Sequence, residues 1–295
     1  MIFIKHLYAI MLKLISLFSG VDNAKKFDTS LRFKRKLDLK NPKSLADKVS
    51  YLELHETNVL ISECTDKWEV REYIKGKGYG HILVPTVGGP WNDWNQIEWD
   101  RLPASFVLKA THGCKMNYIV KEKNDVDLRD CKREVDHWLN TTYGTYSMEP
   151  HYYPIQHRFY AEKYLGDISK LIDYKFHCIN GTPEFILVVT DRKSDGDKAM
   201  EVKLHLFDVN WNPIHEVTGY GGEKAGDCKI RKPKHYDQML EISRNLSKDF
   251  KFVRVDLYDT DDGIMFGELT FSPAASVFPY LSEEFLISEG SKLKI

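Results

Sequence analysis

Several things are scarce in this chain of 295 residues, and each scarcity excludes a class of protein. Charge of one sign is not in excess: 42 Lys and Arg stand against 43 Asp and Glu, a formal net of −1. Nothing in that balance calls for a nucleic-acid partner. Cysteine is sparse and unpaired in pattern. Cys64, Cys114, Cys131, Cys178 and Cys228 are odd in number and form no C-x-x-C, which excludes a disulfide framework and a zinc-ligand spacing. Reduced thiols in a cytosolic protein are the expectation. No uninterrupted apolar run reaches the ~20 residues of a membrane span, and the mean hydropathy is −0.42, so a polytopic membrane protein is excluded. Internal repeats and low-complexity segments are absent as well. Aromatics, by contrast, make up 13% of the chain, far too many for a disordered one. The length suits one large domain, or two or three subdomains around a cleft.

The charge balance conceals an asymmetry. Residues 1–48 hold eleven Lys and Arg and four Asp and Glu, a net of +7, so the remainder carries −8. Thirteen of the seventeen residues after Met1, up to Phe18, are apolar, but Lys5 and Lys13 interrupt them and no A-x-A cleavage site follows. On a helical wheel Lys5, His6, Ala9, Lys13 and Ser16 fall within an arc of about 100°, with apolar residues around the rest. The spacing predicts an amphipathic helix with a narrow basic stripe. Lys25, Lys26, Arg32, Lys34, Arg35, Lys36, Lys40 and Lys43 follow it. An apolar face beside a polybasic patch can hold a peripheral protein on an anionic membrane surface. It can equally be a helix packed on the protein's own core.

Periodicity predicts helices over 44–56, 65–78, 126–141 and 235–250. It predicts strands over 81–87, 105–111, 117–123 and 159–165, then a run of strands turning at Asn180-Gly181 and a hairpin over 253–271 turning at Asp262-Gly263. The order is a helical front, a β-hairpin middle and an α+β back.

Three stretches carry chemistry. In Arg254-Val-Asp256-Leu-Tyr258 and Glu268-Leu-Thr270, alternate residues share a strand face, and the hairpin sets Asp256 and Glu268 on neighbouring strands. Two such carboxylates offer hard oxygens to Mg²⁺, and a nearby arginine can neutralise a transferring phosphoryl group. In Phe106-Val-Leu-Lys109-Ala-Thr111-His112-Gly113-Cys-Lys115, a strand ends in a lysine and opens into a glycine-containing turn, one way to hold polyphosphate. In Glu162-Lys163-Tyr164-Leu165, an acid beside a strand edge can read the amine of an adenine. Each has a plain alternative: a charged surface hairpin, a solvated strand-ending lysine, an ordinary acid.

Together and in this order, Asp66-Lys67, Phe-Val-Leu-Lys109, Glu162-Lys-Tyr-Leu165 and Arg254-x-Asp256…Glu268-x-Thr270-x-Ser-Pro resemble the ATP-grasp superfamily. The variant they resemble is the TupA-like ATP-grasp family, named for teichuronopeptide synthesis. Leu102-Pro103, Val70-Arg71-Glu-Tyr73 and Asp208 followed by Trp211 fit it too, and the resemblance spans roughly residues 44–285. It implies an ATP-grasp fold of the α+β (α/β) class, two α+β subdomains clamping ATP, with a helical amino-terminal region. The expected division is a basic amphipathic segment over 1–43, an amino-terminal α/β region over 44–104, a lid subdomain over 105–168, and a large subdomain with the Mg²⁺ site over 169–295.

The resemblance also assigns roles. Lys67 and Lys109 match the lysines that hold ATP phosphates, with Thr111 and Gly113 in the phosphate turn. Glu162 and Leu165 match adenine readers, beside Lys163. Asp173 lies where a ribose contact is expected, and either Arg192 or Lys203 is a further phosphate contact. Asp256, Glu268 and Thr270 match the magnesium ligands, Thr270 standing where relatives commonly have Asn. Arg254 matches the arginine that steadies an acyl phosphate, and His112 is the candidate base. The implied activity is an ATP- and Mg²⁺-dependent carboxylate–amine ligase that joins an amino acid or amine to a uronate of a cell-surface polysaccharide or its precursor. It would work in the cytoplasm, peripherally on the inner leaflet. The alternatives are an ATP-grasp kinase, a glycosyltransferase using Asp125-x-Asp127, and a non-catalytic membrane-associated scaffold.

Overall fold

The computed structural model describes residues 2–166, 172–193 and 201–295, with backbone alone for 2–6, 192 and 193. The chain divides into two compact units: 1–58 with 146–149 and 167–295, and 59–145 with 150–166. Both expected front segments up to residue 58 therefore lie in the larger unit. The expected lid segment, apart from 146–149 and its last two positions, shares the smaller unit with residues 59–104.

The larger unit opens with α1 (Ile2–Ser19) and α2 (Val21–Phe33), separated only by Gly20 at φ 90°. They fold back as a helical hairpin, with Leu12 against Ala24 and the Tyr8 hydroxyl donating to Asp28 at 2.8 Å. The following helix, α3 (Leu45–His55), starts at a capping box: Ser44 Oγ accepts from Asp47 N at 3.2 Å, and Asp47 Oδ2 accepts from Ser44 N at 3.1 Å.

The smaller unit begins with α4 (Leu60–Thr65) and α5 (Val70–Gly76), where spacing predicted one helix. The break is Asp66, whose Oδ1 accepts from Trp68 N at 2.7 Å and Glu69 N at 3.2 Å and restarts the chain as a helix cap does. Then come β1 (Thr86–Trp91), β2 (Phe106–Ala110), β3 (Asn117–Val120), α6 (Leu128–Leu139) and β4 (Phe159–Lys163). They form a four-stranded antiparallel sheet in the order β1-β4-β2-β3. Phe106, Leu108 and Ala110 alternate inward and bury against Val135 and Trp138 of α6.

The chain then returns to the larger unit with β5 (Asp173–Ile179), β6 (Thr182–Lys193), β7 (Glu201–Asp208), β8 (Pro213–Ile214), β9 (Glu223–Ala225), α7 (Tyr236–Ser247), β10 (Phe252–Thr260), β11 (Gly263–Thr270) and α8 (Glu283–Lys292). Its sheet runs β11-β10-β5-β6-β7-β8, with β9 parallel to β7. Leu45, Val49 and Leu52 of α3 and Phe285 and Leu286 of α8 share one core with Leu187 and Leu206. α8 approaches α3 so closely that a Cβ at Gly290 would lie 2.3 Å from the Lys43 carbonyl, so only glycine fits there.

Candidate active site

In the smaller unit the alternation of β2 sets Val107 and Lys109 on one face, and register brings Glu162 and Tyr160 opposite them. Glu162 is buried, and Lys109 Nζ lies 2.5 Å from its Oε2. The Tyr160 hydroxyl donates to Glu162 Oε1 at 3.0 Å, and Arg71 stands 3.9 Å away. One carboxylate thus faces two cations. The surplus positive charge suits an anion such as a phosphate. Burial pushes the Tyr160 hydroxyl well above its ordinary range, and the neighbouring Glu162 charge pushes the same way.

Lys67 is tied to the same sheet by its backbone. Its N–H donates to the Thr111 carbonyl at 2.9 Å, where the turn after β2 begins. Asp66 shapes that segment through its cap and through Arg158, which reaches both Asp66 at 3.0 Å and Glu69 at 2.8 Å. The two lysines separated by 42 positions in sequence are therefore anchored on adjoining segments of one unit.

The turn itself differs from a flexible phosphate loop. Thr111 is buried and its hydroxyl donates to the Gln156 carbonyl at 3.1 Å. His112 is buried, donates from Nε2 to the Trp138 carbonyl at 2.9 Å and stacks on His157 with ring centres 4.1 Å apart. Burial pushes its pKa down to about 4, so at neutral pH it is an uncharged packed ring, poorly placed to serve as the base. A Cβ at Gly113 would meet Met116 Sδ at 2.6 Å. Lys163 is exposed with its N–H bonded to the Pro85 carbonyl, and Leu165 lies half-buried just past the end of β4.

In the larger unit the hairpin of β10 and β11 makes the acidic site. From Thr260↔Gly263 to Leu257↔Phe266 the pairing is regular, and then the register shifts so that Asp256 faces Glu268 and Arg254 faces Thr270. The extra residue is Gly267, where a Cβ would come within 3.0 Å of the Asp256 carbonyl. Without this bulge Asp256 would face Gly267 and Glu268 would point to the other side of the sheet.

On the shared face Arg254 binds both oxygens of Asp256 at 2.6 and 2.7 Å and reaches Glu268 at 3.2 Å and Thr270 Oγ1 at 2.9 Å. Thr270 in turn donates to Glu268 at 3.1 Å, so its hydroxyl is engaged on both sides. Lys175, opposite Asp256 on β5, pairs with Asp256 and with Asp173 at 3.2 Å. Burial alone would lower the Arg254 pKa, but the charge and hydrogen bonds of Asp256 and the charge of Glu268 together outweigh it and hold the guanidinium cationic.

Three carboxylates against two cations leave one negative charge on an all-oxygen face, which fits a hard divalent cation. No group of three or more His, Cys, Asp or Glu side chains poised to hold a metal occurs among the described residues. The donors this face could offer are Asp256, Glu268 and Thr270, all of them engaged by Arg254, so the guanidinium has to shift for a cation to enter. Asp173 belongs to this acidic group through Lys175. Lys203 pairs with Asp191 at 2.8 Å, both side chains more than half exposed, and the Arg192 side chain lies outside the described residues.

Sequence spacing did not single out Lys175 or Arg71 as site residues. Lys175 is two residues from Asp173 on one strand, and Arg71 is four from Lys67, so alternation and helical spacing were the available signals. Asp125-x-Asp127 resolves as a helix start: Asp127 caps α6 by accepting from Arg129 N and Asp130 N. That leaves the glycosyltransferase alternative without its motif.

No curated protein matches this chain. D-alanine–D-alanine ligase from Bacillus anthracis, solved with ATP, aligns at 16% identity and a TM-score of 0.42 over 77% of this chain and 66% of that one. The Helicobacter pylori D-alanine–D-alanine ligase aligns at 11% identity and 0.44, over 86% and 70%. A D-cycloserine synthetase aligns at 12% identity and 0.44, over 80% and 72%. This chain thus spans about two thirds of the length of those ligases. The sequence profile of the family described as TupA-like ATPgrasp matches residues 47–287, which takes in every site residue described above, and the chain belongs to that family.

Proposed function

We propose that the protein is an ATP- and Mg²⁺-dependent ligase that joins a carboxylate to an amine. The carboxylate substrate attacks the γ-phosphorus of ATP, forming an acyl phosphate and releasing ADP. The amine then attacks the acyl carbon, loses a proton and expels inorganic phosphate. The observation that carries this reading is the Arg254 clasp on Asp256, Glu268 and Thr270. It puts a guanidinium and the carboxylates that would hold a metal on one face, which is the charge pattern phosphoryl transfer needs.

Asp256 and Glu268 would hold magnesium, which supplies charge neutralisation to the triphosphate. Arg254 steadies the acyl phosphate and the charge that grows at its carbonyl. Lys109 and Lys67 bind phosphate oxygens, with Arg71 adding to the local positive charge, and Glu162 orients Lys109 and receives the adenine amine. Catalysis by such a site is positioning and charge neutralisation rather than covalent help.

For the acceptor we propose a uronate of a cell-surface polysaccharide or its precursor, joined to an amino acid or amine. The family assignment supports this. ADP release measured over a panel of uronates and amino acids tests it, with mass spectrometry identifying an amide. Glu268→Ala and Lys109→Ala are each expected to lose about 3 kcal/mol or more of transition-state stabilisation, roughly a hundredfold or more in kcat/KM. Near-normal turnover in either variant would remove the site assignment. A phosphorylated product without an amide would identify the kinase instead.

A further inference from the structure

The helical hairpin of α1 and α2 buries less than its composition allows. On α1 the inward residues are Tyr8, Leu12 and Ile15. The outward ones include Leu7, Ile10, Leu14, Leu17 and Phe18, the last two 76% and 81% exposed. At the helical angle of 100° per residue these five fill one arc of about 100°. Lys13 borders the arc, and Ala9 and Ser16, expected in the polar stripe, are half-buried instead. On α2, Phe27 and Leu31 are exposed too. The hairpin thus turns an apolar face outward, and a run of neighbouring exposed apolar side chains marks an interaction surface.

Charge says which partner. Lys25, Arg32 and Arg35 are spent on Glu53, Asp28 and Glu283. Lys13, Lys34, Lys36, Lys40 and Lys43 are exposed and make no ion pair among the described residues. A second copy of the chain would bring the same lysines against themselves. An anionic lipid surface would neutralise them. No described helix is long and apolar enough to cross a membrane. We infer that the exposed face of the α1–α2 hairpin docks in the interface of an anionic bilayer, with α1 lying in its plane and the lysines on lipid headgroups.

Deleting the hairpin cannot test this, because Leu12 and the buried Lys25 would go with it. The test keeps the full chain and compares flotation on phosphatidylcholine vesicles with and without phosphatidylglycerol. The wild type is expected to float with anionic vesicles and to be released by high salt. The triple variant Leu14→Asp, Leu17→Asp, Phe18→Asp is expected to lose about tenfold or more in partitioning while keeping its melting temperature. Lys34→Glu, Lys36→Glu, Lys40→Glu should do the same through charge, and it decides the matter if the first variant fails to fold. Wild-type protein that never floats, or variants that float as well as it does, overturn the inference. So does a wild-type dimer by sedimentation velocity that the first variant dissolves, with no flotation in either, which assigns the face to a second copy.

Discussion

Replacing Lys25 by Met is the sharpest test of how the larger unit is held together. Lys25 is fully buried on α2, its Nζ 2.6 Å from Glu53 and 2.9 Å from the Ser147 carbonyl. Glu53 also accepts from Ser276 at 2.9 Å. Burial pushes the Glu53 carboxyl up to about 7, with Lys25 pulling it back down. Met keeps most of the side-chain volume and removes the charge, leaving an unpaired buried acid. Breaking a buried pair in this way costs about 3–5 kcal/mol. In a unit of this size that lowers the melting temperature by roughly 10 °C.

Differential scanning calorimetry at pH 7.5 reads the shift. The double variant Lys25→Met, Glu53→Leu should recover most of it, because an apolar pair of similar volume replaces a buried ion pair at little net loss. It should stay about 1 kcal/mol below wild type, since Ser276 loses its acceptor. That hydroxyl matters locally. Ala274, Ala275, Ser276 and Phe278 all have left-handed backbones, with φ between 48° and 66°, just after β11. Surrounding contacts have to hold such a segment in place. If Lys25→Met melts within 2 °C of wild type, or the double variant is no better than the single, the buried pair is not what holds α2 to the unit.

Three further outcomes are expected. Gly267→Val sets a side chain against the Asp256 carbonyl, which a Cβ at this position would approach to 3.0 Å, and should push the bulge and Glu268 out of place, so turnover should fall about a hundredfold, and unchanged turnover refutes the register argument. His112 binds its proton only near pH 4 when folded and near 6.5 when unfolded. Between those values the unfolded chain binds more protons, so stability should rise with pH by about 3 kcal/mol across the window, and a His112→Gln variant should lose that slope in calorimetric titration. Asp127→Ala should leave ADP release unchanged while lowering the melting temperature, whereas loss of turnover with an intact fold would return that acid to the chemistry.

Much of this protein is legible from sequence because the relevant signals are local. Alternation set Arg254, Asp256 and Tyr258 on one face, Asp262-Gly263 marked the hairpin tip, and the order of Lys67, Lys109, Glu162, Asp256 and Glu268 along the chain carried the family resemblance. Helix over 65–78 was expected as one piece because the period runs through it, and a single side chain, Asp66, interrupts it.

Tertiary structure decided what no local pattern encodes. One extra residue at Gly267 chooses which side of the sheet Glu268 faces, since pairing across strands is set by register and not by alternation within one. Lys25 looked like one more member of a basic run and is instead buried against Glu53, because charge in sequence does not say which side of a helix finds a partner. The same ambiguity applied to α1. Its sequence contained both an apolar arc and a basic stripe, and only packing against α2 determined that Leu12 goes inside while Leu17 and Phe18 stay out.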